Sequence, residues 1–172
     1  MNDNKVEQKV GLHGRFSVQC IDKNGVEKWS EDFNNGITDE GIAYLLDLGF
    51  HGDNDDITTW YCGLIDNLSF SALDAGDTAA QIGGSNGWSE LTAYTEANRV
   101  EWTEGATAAR VMTNSTPMDF SMNATNTVKG IFIVSSNTKS GTTGTLWSTA
   151  AFSSNASVEN GDTLKVTYTI NG

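Results

Sequence analysis

"VKGIFIVSSNTKSGTTGTLWSTAAF", Val128 to Phe152, is the stretch whose reading decides the fold. An apolar run enters a Lys-Ser-Gly-Thr-Thr-Gly loop at Lys139–Gly144, and a second apolar run leaves it. The loop is either a phosphate cradle opening a helix or a turn between strands. A P-loop carries its Lys and Ser/Thr after the glycines, at the start of a helix whose free N–H groups face the phosphates. Here Lys139 precedes Gly141 and Gly144, and "TLWSTAAF" behind them is β-branched and aromatic without helical spacing. That order rejects the cradle. The stretch reads as two core strands joined by a flexible, exposed hairpin loop. Val128, Phe132 and Val134 fall on one face of the first strand and Ile131 and Ile133 on the other, which makes it a central strand. The second strand brings Leu146, Trp147 and Phe152 to the core or to an interface.

The same strand pattern continues outward in both directions. In "DTLKVTYTI", Leu164, Val166, Tyr168 and Ile170 alternate with Thr163, Lys165, Thr167 and Thr169, the pattern of a half-exposed strand. In "RFSVQCIDKNGVEKWSEDF", Phe16, Val18 and Cys20 share a face, and Asn24-Gly25 is a strong hairpin signal. "ITTWYCGLID" sets Trp60, Cys62 and Leu64 against Tyr61 and Ile65, so both faces are apolar. Short strands are expected in "WSELTAY", "NRVEWT", "AARVMTN" and "MDFSMN". Roughly eight or nine strands at about ten-residue spacing predict an antiparallel two-sheet sandwich, jelly-roll or immunoglobulin-like in order. One short helix is expected in "ITDEGIAYLLDLGF". Thr38 would cap it, Asp39 and Glu40 complement its dipole, Ile42, Leu45 and Leu46 form its apolar stripe, and Gly49 stops it. The polar residues 1–12 read as an N-terminal arm, and 13–172 as the sandwich domain. "NLSFSALDAGDTAAQIGGSNG", Asn67 to Gly87, is the longest weakly patterned segment, with one helical turn expected at "DTAAQI".

Composition agrees. The chain has 172 residues, 38% of them apolar and 19% charged, with 18 Gly and one Pro. A domain of this size buries about 70% of its unfolded surface and needs no staples. Net charge is -12. The eight acids Glu31, Asp32, Asp39, Glu40, Asp47, Asp53, Asp55 and Asp56 occur with no Lys or Arg between residues 31 and 56, a surface that repels nucleic-acid phosphates. No apolar run is long enough for a membrane span. "MNDNKVEQKV" has no apolar core behind basic residues, so no secretory signal and cytoplasmic synthesis are expected. Cys20 and Cys62 lack metal-type spacing and lie in strand-like runs, where buried free thiols are expected.

Candidates for chemistry each have a plainer reading. Asp53, Asp55 and Asp56 offer the hard oxygens calcium prefers, without the Gly and Glu that an EF-hand loop requires, and read as a solvated acidic loop. Asp74 and Asp77 read as a turn and a helix cap. His13 and His51 sit beside glycines with no HExxH or GxSxG partner motif. The sequons at Asn67, Asn114, Asn123 and Asn155 read as accidents of a Ser/Thr/Asn-rich chain. No catalytic, cofactor-binding or metal-binding residue is assigned, and the chain is not expected to be an enzyme. Trp29, Trp60, Trp88, Trp102 and Trp147 could stack sugars, but in a sandwich of this size they are expected in the core or at a subunit interface.

"TWYCGLID", "GWSELTAYTEANRVEWTEG", "TVKGIFIVSSNTKSGTTGTLWSTAAFSS" and "GDTLKVTYTI" together resemble a group of small virion structural proteins of tailed bacteriophages and prophages, from about Gly11 to the C-terminus. The resemblance is an order of strand-like phrases rather than a chemical signature. It implies a head decoration, or cement, protein: β-rich, a homotrimer, bound to the major capsid protein on the outside of the capsid. It also allows a collar, tail or head-fibre component. A carbohydrate-binding module for host attachment is the alternative from a different class.

Overall fold

The computed structural model describes residues 11–51, 56–84 and 87–172. Most of the expected arm, residues 1–10, lies outside the described residues, as do Asp53 and Asp55. In chain order the elements begin with β1 (His13–Ile21), β2 (Glu27–Asn34), β3 (Gly36–Ile37) and helix α1 (Asp39–Leu46). They continue with β4 (Trp60–Asp66), β5 (Glu90–Leu91), β6 (Val100–Trp102), β7 (Val111–Thr113) and β8 (Met118–Ser121). The last three strands are β9 (Asn126–Val134), β10 (Leu146–Val158) and β11 (Thr163–Asn171).

These strands form two antiparallel sheets, as the alternation predicts. One runs β2-β1-β11, with β7 and β8 sharing the far edge of β11. The other runs β3-β10-β9-β4, with β5 and β6 sharing the far edge of β4. Pairing is nested: β1 meets β11, β3 meets β10 and β4 meets β9, as when a long hairpin is rolled up. The two ends of the domain therefore lie side by side, with His13 opposite Asn171. Backbone bonds tie the sheets together on one side, where Gly105 N–H donates to Thr113 and Ser115 N–H to Thr103. On the other side the Trp29 indole donates to the Ser157 carbonyl, and Glu31 accepts from Ser153 N–H.

Phe16, Val18, Cys20, Leu164, Val166 and Tyr168 fill the space between the sheets against Cys62, Leu64, Ile131 and Ile133. Both cysteines are free and buried. A second, smaller cluster lies on the outer side of β4 and β9, where Ile65, Phe132 and Val134 meet Ala79, Ile82 and Trp88. The weakly patterned segment thus has a structural role, since with a short 3₁₀ turn at Ala79–Ile82 it roofs the second sheet and covers β4 and β9 on their outer face as well. Thr78, not Asp77, caps that turn, in a reciprocal arrangement with Gln81. Val128 departs from the expected face and joins Ile131 and Ile133, because β9 bulges against β4, where Ile65 faces Gly130 and the next residue, Asp66, faces Val128.

The loop after β9 differs most from expectation. It is not a free protrusion. Arg99, its side chain 0% exposed, forms a two-pronged pair with Glu90, each N–O distance 2.9 Å. The same guanidinium donates to the carbonyls of Ser136 and Gly141, and Glu90 accepts from Ser140 N–H. Lys139 reaches the Tyr94 carbonyl at 2.8 Å, and burial lowers its pKa. A planar fork with fixed donors can hold a carboxylate and two carbonyls at once, which fastens the loop to β5 and to the chain leading into β6.

Candidate docking surface

Helix α1 is fastened by its polar N-terminus. The Thr38 hydroxyl accepts from Gly41 N–H at 3.1 Å and donates to the Leu146 carbonyl. Glu40 accepts from the backbone N–H groups of Leu146 and Ala79. The only residue α1 buries is Gly41. A Cβ there would stand 2.7 Å from the Trp147 carbonyl oxygen, so the bare glycine is what lets the helix lie against β10.

Because that face is the buried one, the expected apolar stripe points away from the domain. Ile42 and Leu45 are exposed, and Leu46 is 52% exposed. Gly49 does not stop the helix. α1 ends at Leu46 and widens into a π-helical turn, Asp47–His51, that carries Leu48 and Phe50 outward. Phe50 is 89% exposed. Such turns occur often at functional sites.

A groove runs beside this ridge as two adjoining hollows of about 190 and 450 Å³. Its floor is apolar: Trp60, Trp102, Met112, Trp147 and Ile170, each from a different strand. Leu45 and Leu48 form one wall. Leu12 and the Ala108–Val111 hairpin form the other. That hairpin holds Ala109 at φ 49° and Arg110 at φ 71°, where a tight turn normally uses Asn-Gly. Left-handed backbone at non-glycine residues costs about 1–3 kcal/mol each and gathers at functional positions. Arg110 stands at one end of the groove and Asp56 at the other. Tyr44 closes the wall from below, with its hydroxyl accepting from Ile57 N–H and its ring edge-on to Trp60 at 5.7 Å.

The residues weighed for chemistry are dispersed or occupied in structure. His13 opens β1 in the first sheet, while His51 ends the π-helical turn, 3.8 Å from Asp47. Asp74 accepts from Gly76 N–H within its turn, and Asp77 accepts from the Trp88 indole at 2.9 Å. Asn114 is enclosed by backbone, its amide group engaging Thr116, Val166 and Tyr168. Burial, reinforced by Asp162, pushes the Cys20 thiol up to about 12, and burial raises Cys62 well above its ordinary value. Neither is an activated nucleophile. Among the described residues no group of three or more His, Cys, Asp and Glu is placed to hold a metal ion. No described helix is long and apolar enough to cross a membrane.

Trp88, Trp102 and Trp147 are buried, while Trp29 and Trp60 are half-buried against the core. Trp60, Trp102 and Trp147 line the groove beside α1. The residues the sequence did not single out are Phe50, Leu48 and Arg110. The exposed run after the helix was visible only as ordinary apolar positions.

No protein-family profile matches the chain, and no curated protein matches it.

Proposed function

We propose that this chain is a structural subunit of a tailed-phage virion, a head decoration protein that binds the outer surface of the capsid and stabilises it. The observation that carries the reading is the apolar ridge from Ile42 to Phe50 beside a tryptophan-floored groove, on a chain whose net charge is -12. Large apolar side chains grouped on an otherwise charged surface mark a site that another surface covers. A closed sandwich with roofed strands and a pinned loop supplies a stiff body for such a contact. The acidic remainder suits a face turned to solvent rather than to packaged DNA. The order of strand phrases across the chain supports the phage setting. Binding that spans neighbouring capsid subunits only in the expanded shell stabilises that shell by mass action.

The test adds purified protein to expanded and unexpanded shells that lack it, then measures bound copies and the temperature at which shells open. Saturable binding to expanded shells, at a copy number approaching that of the shell protein, with a higher opening temperature, is the expected result. Absence of binding to either shell overturns the proposal. A few copies confined to the portal vertex assign the chain to the collar or tail instead.

A further inference from the structure

Arg110 keeps its place beside the groove against two costs. The first is in the backbone. Two backbone bonds between Ala108 and Val111 close the hairpin, so its corner residues are Ala109 and Arg110, both left-handed. Glycine and asparagine occupy such corners readily, and a long side chain at the second is the strained choice. The second cost is in the charge. Of the three arginines, Arg15 pairs with Asp32 and Arg99 with Glu90, whereas Arg110 has no acid partner among the described residues, on a chain of net charge -12. Folding asks only for the Arg110 carbonyl, which accepts from Gly172 N–H at 3.0 Å, and a glycine would supply that carbonyl equally well. Strain kept at a residue whose side chain the fold does not use points to a use outside the fold.

We propose that Arg110 determines what the groove accepts: its guanidinium takes the carboxylate of an Asp or Glu on an apolar segment of the shell protein that lies along the tryptophan floor. This rests on the decoration reading and names the chemistry of the partner. Arg110 lines the larger hollow, about 450 Å³, with Leu12, Met112, Trp147 and Ile170. Its methylene stem can lie on those apolar walls while the planar head stays at the mouth. There it offers parallel N–H donors in the geometry that a carboxylate matches with two bonds. Asp56, at the other end of the groove, gives the site a direction. A segment with its acid at Arg110 and a base at Asp56 meets opposite charges at both ends, and the reversed segment meets like charges at both. The apolar floor supplies burial, and the two ends supply selection and polarity.

The test has one arm without shells and one with them. In the first, the full chain is titrated with acetyl-Leu-Phe-Glu-amide and with its Gln counterpart, and the indole N–H signals of Trp60, Trp102 and Trp147 are followed by NMR. Binding of the Glu peptide is expected at roughly millimolar concentration, about five- to tenfold tighter than that of the Gln peptide. Arg110→Gly abolishes the preference and Arg110→Lys retains part of it. Because Arg110→Gly relieves a left-handed corner, its unfolding temperature is expected to be at least that of wild type, which separates lost recognition from lost fold. In the second arm, Arg110→Gly binds expanded shells about five- to tenfold more weakly than wild type, and wild-type binding falls more steeply with added salt. Indole signals that respond to neither peptide overturn the inference, as does a Glu preference that is absent or that survives Arg110→Gly. The two proposals fail separately. Shell binding indifferent to Arg110→Gly but lost with Phe50→Asp sinks the carboxylate site and keeps the decoration role. A Glu preference that depends on Arg110, in a chain that binds no shell, does the reverse.

Discussion

Arg99 shows how one side chain can decide the behaviour of a loop. Its guanidinium, fully enclosed, answers Glu90 with two bonds and the loop carbonyls of Ser136 and Gly141 with two more, and lies over Phe132 at 5.2 Å. Removing one member of such a pair leaves a buried charge without its counter-charge, whereas replacing both by apolar groups is often neutral. Arg99→Met is therefore expected to cost about 3–5 kcal/mol in urea unfolding, and the double change with Glu90→Leu to recover most of it. Amide exchange in residues 136–141 should accelerate in both variants, because either way the loop carbonyls lose their donor. A cost below about 1 kcal/mol for Arg99→Met would mean the pair does not dominate here. A second charged pair sets the pH limits. Burial works to raise the Asp162 carboxyl, but the Lys28 ammonium at 2.7 Å and the Glu159 N–H together hold it below its ordinary 3.8. Asp162 in turn raises Lys28 above 10.5. A lowered carboxyl contributes stability above 3.8 that is lost as pH falls through the folded value, and a raised ammonium contributes below 10.5 and is lost as pH rises through its folded value. The stability gap between wild type and Asp162→Asn, read by urea unfolding, should be flat between about pH 5 and 9 and shrink as pH falls below the ordinary carboxyl value of 3.8. A gap that widens in acid would contradict this assignment.

At the scale of elements, α1 tests the rule that an amphipathic helix packs its apolar stripe on the domain. Its capping by Thr38 was legible, since a Thr followed by two acids is a local signal. Its orientation was not. That depends on Gly41 lying against the Trp147 backbone and on Glu40 binding Leu146 N–H, contacts with a strand far along the chain. The contrast predicts opposite outcomes for two kinds of change. Leu46→Lys and Phe50→Lys replace exposed groups and should leave stability within about 0.5 kcal/mol. Gly41→Ala improves intrinsic helix propensity by about 1 kcal/mol, yet forces a methyl group against the Trp147 carbonyl, and overpacking of that kind costs about 1–3 kcal/mol. Gly41→Ala should therefore lower the unfolding temperature and loosen the amides of α1, while the lysine variants do neither. Equal losses in all three would return the stripe to the core. Strands were read more reliably than the helix because alternation is written locally: Leu164, Val166 and Tyr168 are all fully buried, as their spacing requires. The groove was invisible for the opposite reason. Its floor gathers one residue from each of five strands, and no local pattern marks such a set.

For the whole molecule, nested pairing makes sequence position and structural position nearly independent. The first and last strands are neighbours at the centre of one sheet, so His13 lies opposite Asn171 while most pairings span long sequence separations. Where the chain is cut should then matter less than what the cut segment holds. A circular permutant of residues 11–172, with Gly172 joined to Gly11 by a short glycine-serine linker, tests this. Opening it between Asn24 and Gly25 places the new ends in a tight turn whose residues are exposed, where Gly25 sits at φ 84° and only Asp22 organises the backbone. Such turn tips tolerate new termini. Opening it between Lys139 and Ser140 looks equally harmless in the sequence, since that loop is rich in Gly, Ser and Thr. It frees the segment that Arg99 and Glu90 hold from both ends, and leaves a buried ion pair with part of its hydrogen bonding removed. The first permutant should fold with an unfolding temperature close to that of the uncut chain, and the second should be markedly less stable or recovered as aggregate. Equal stability of the two would show that the fold is held by its sheets alone and that the Arg99 clasp contributes nothing to it.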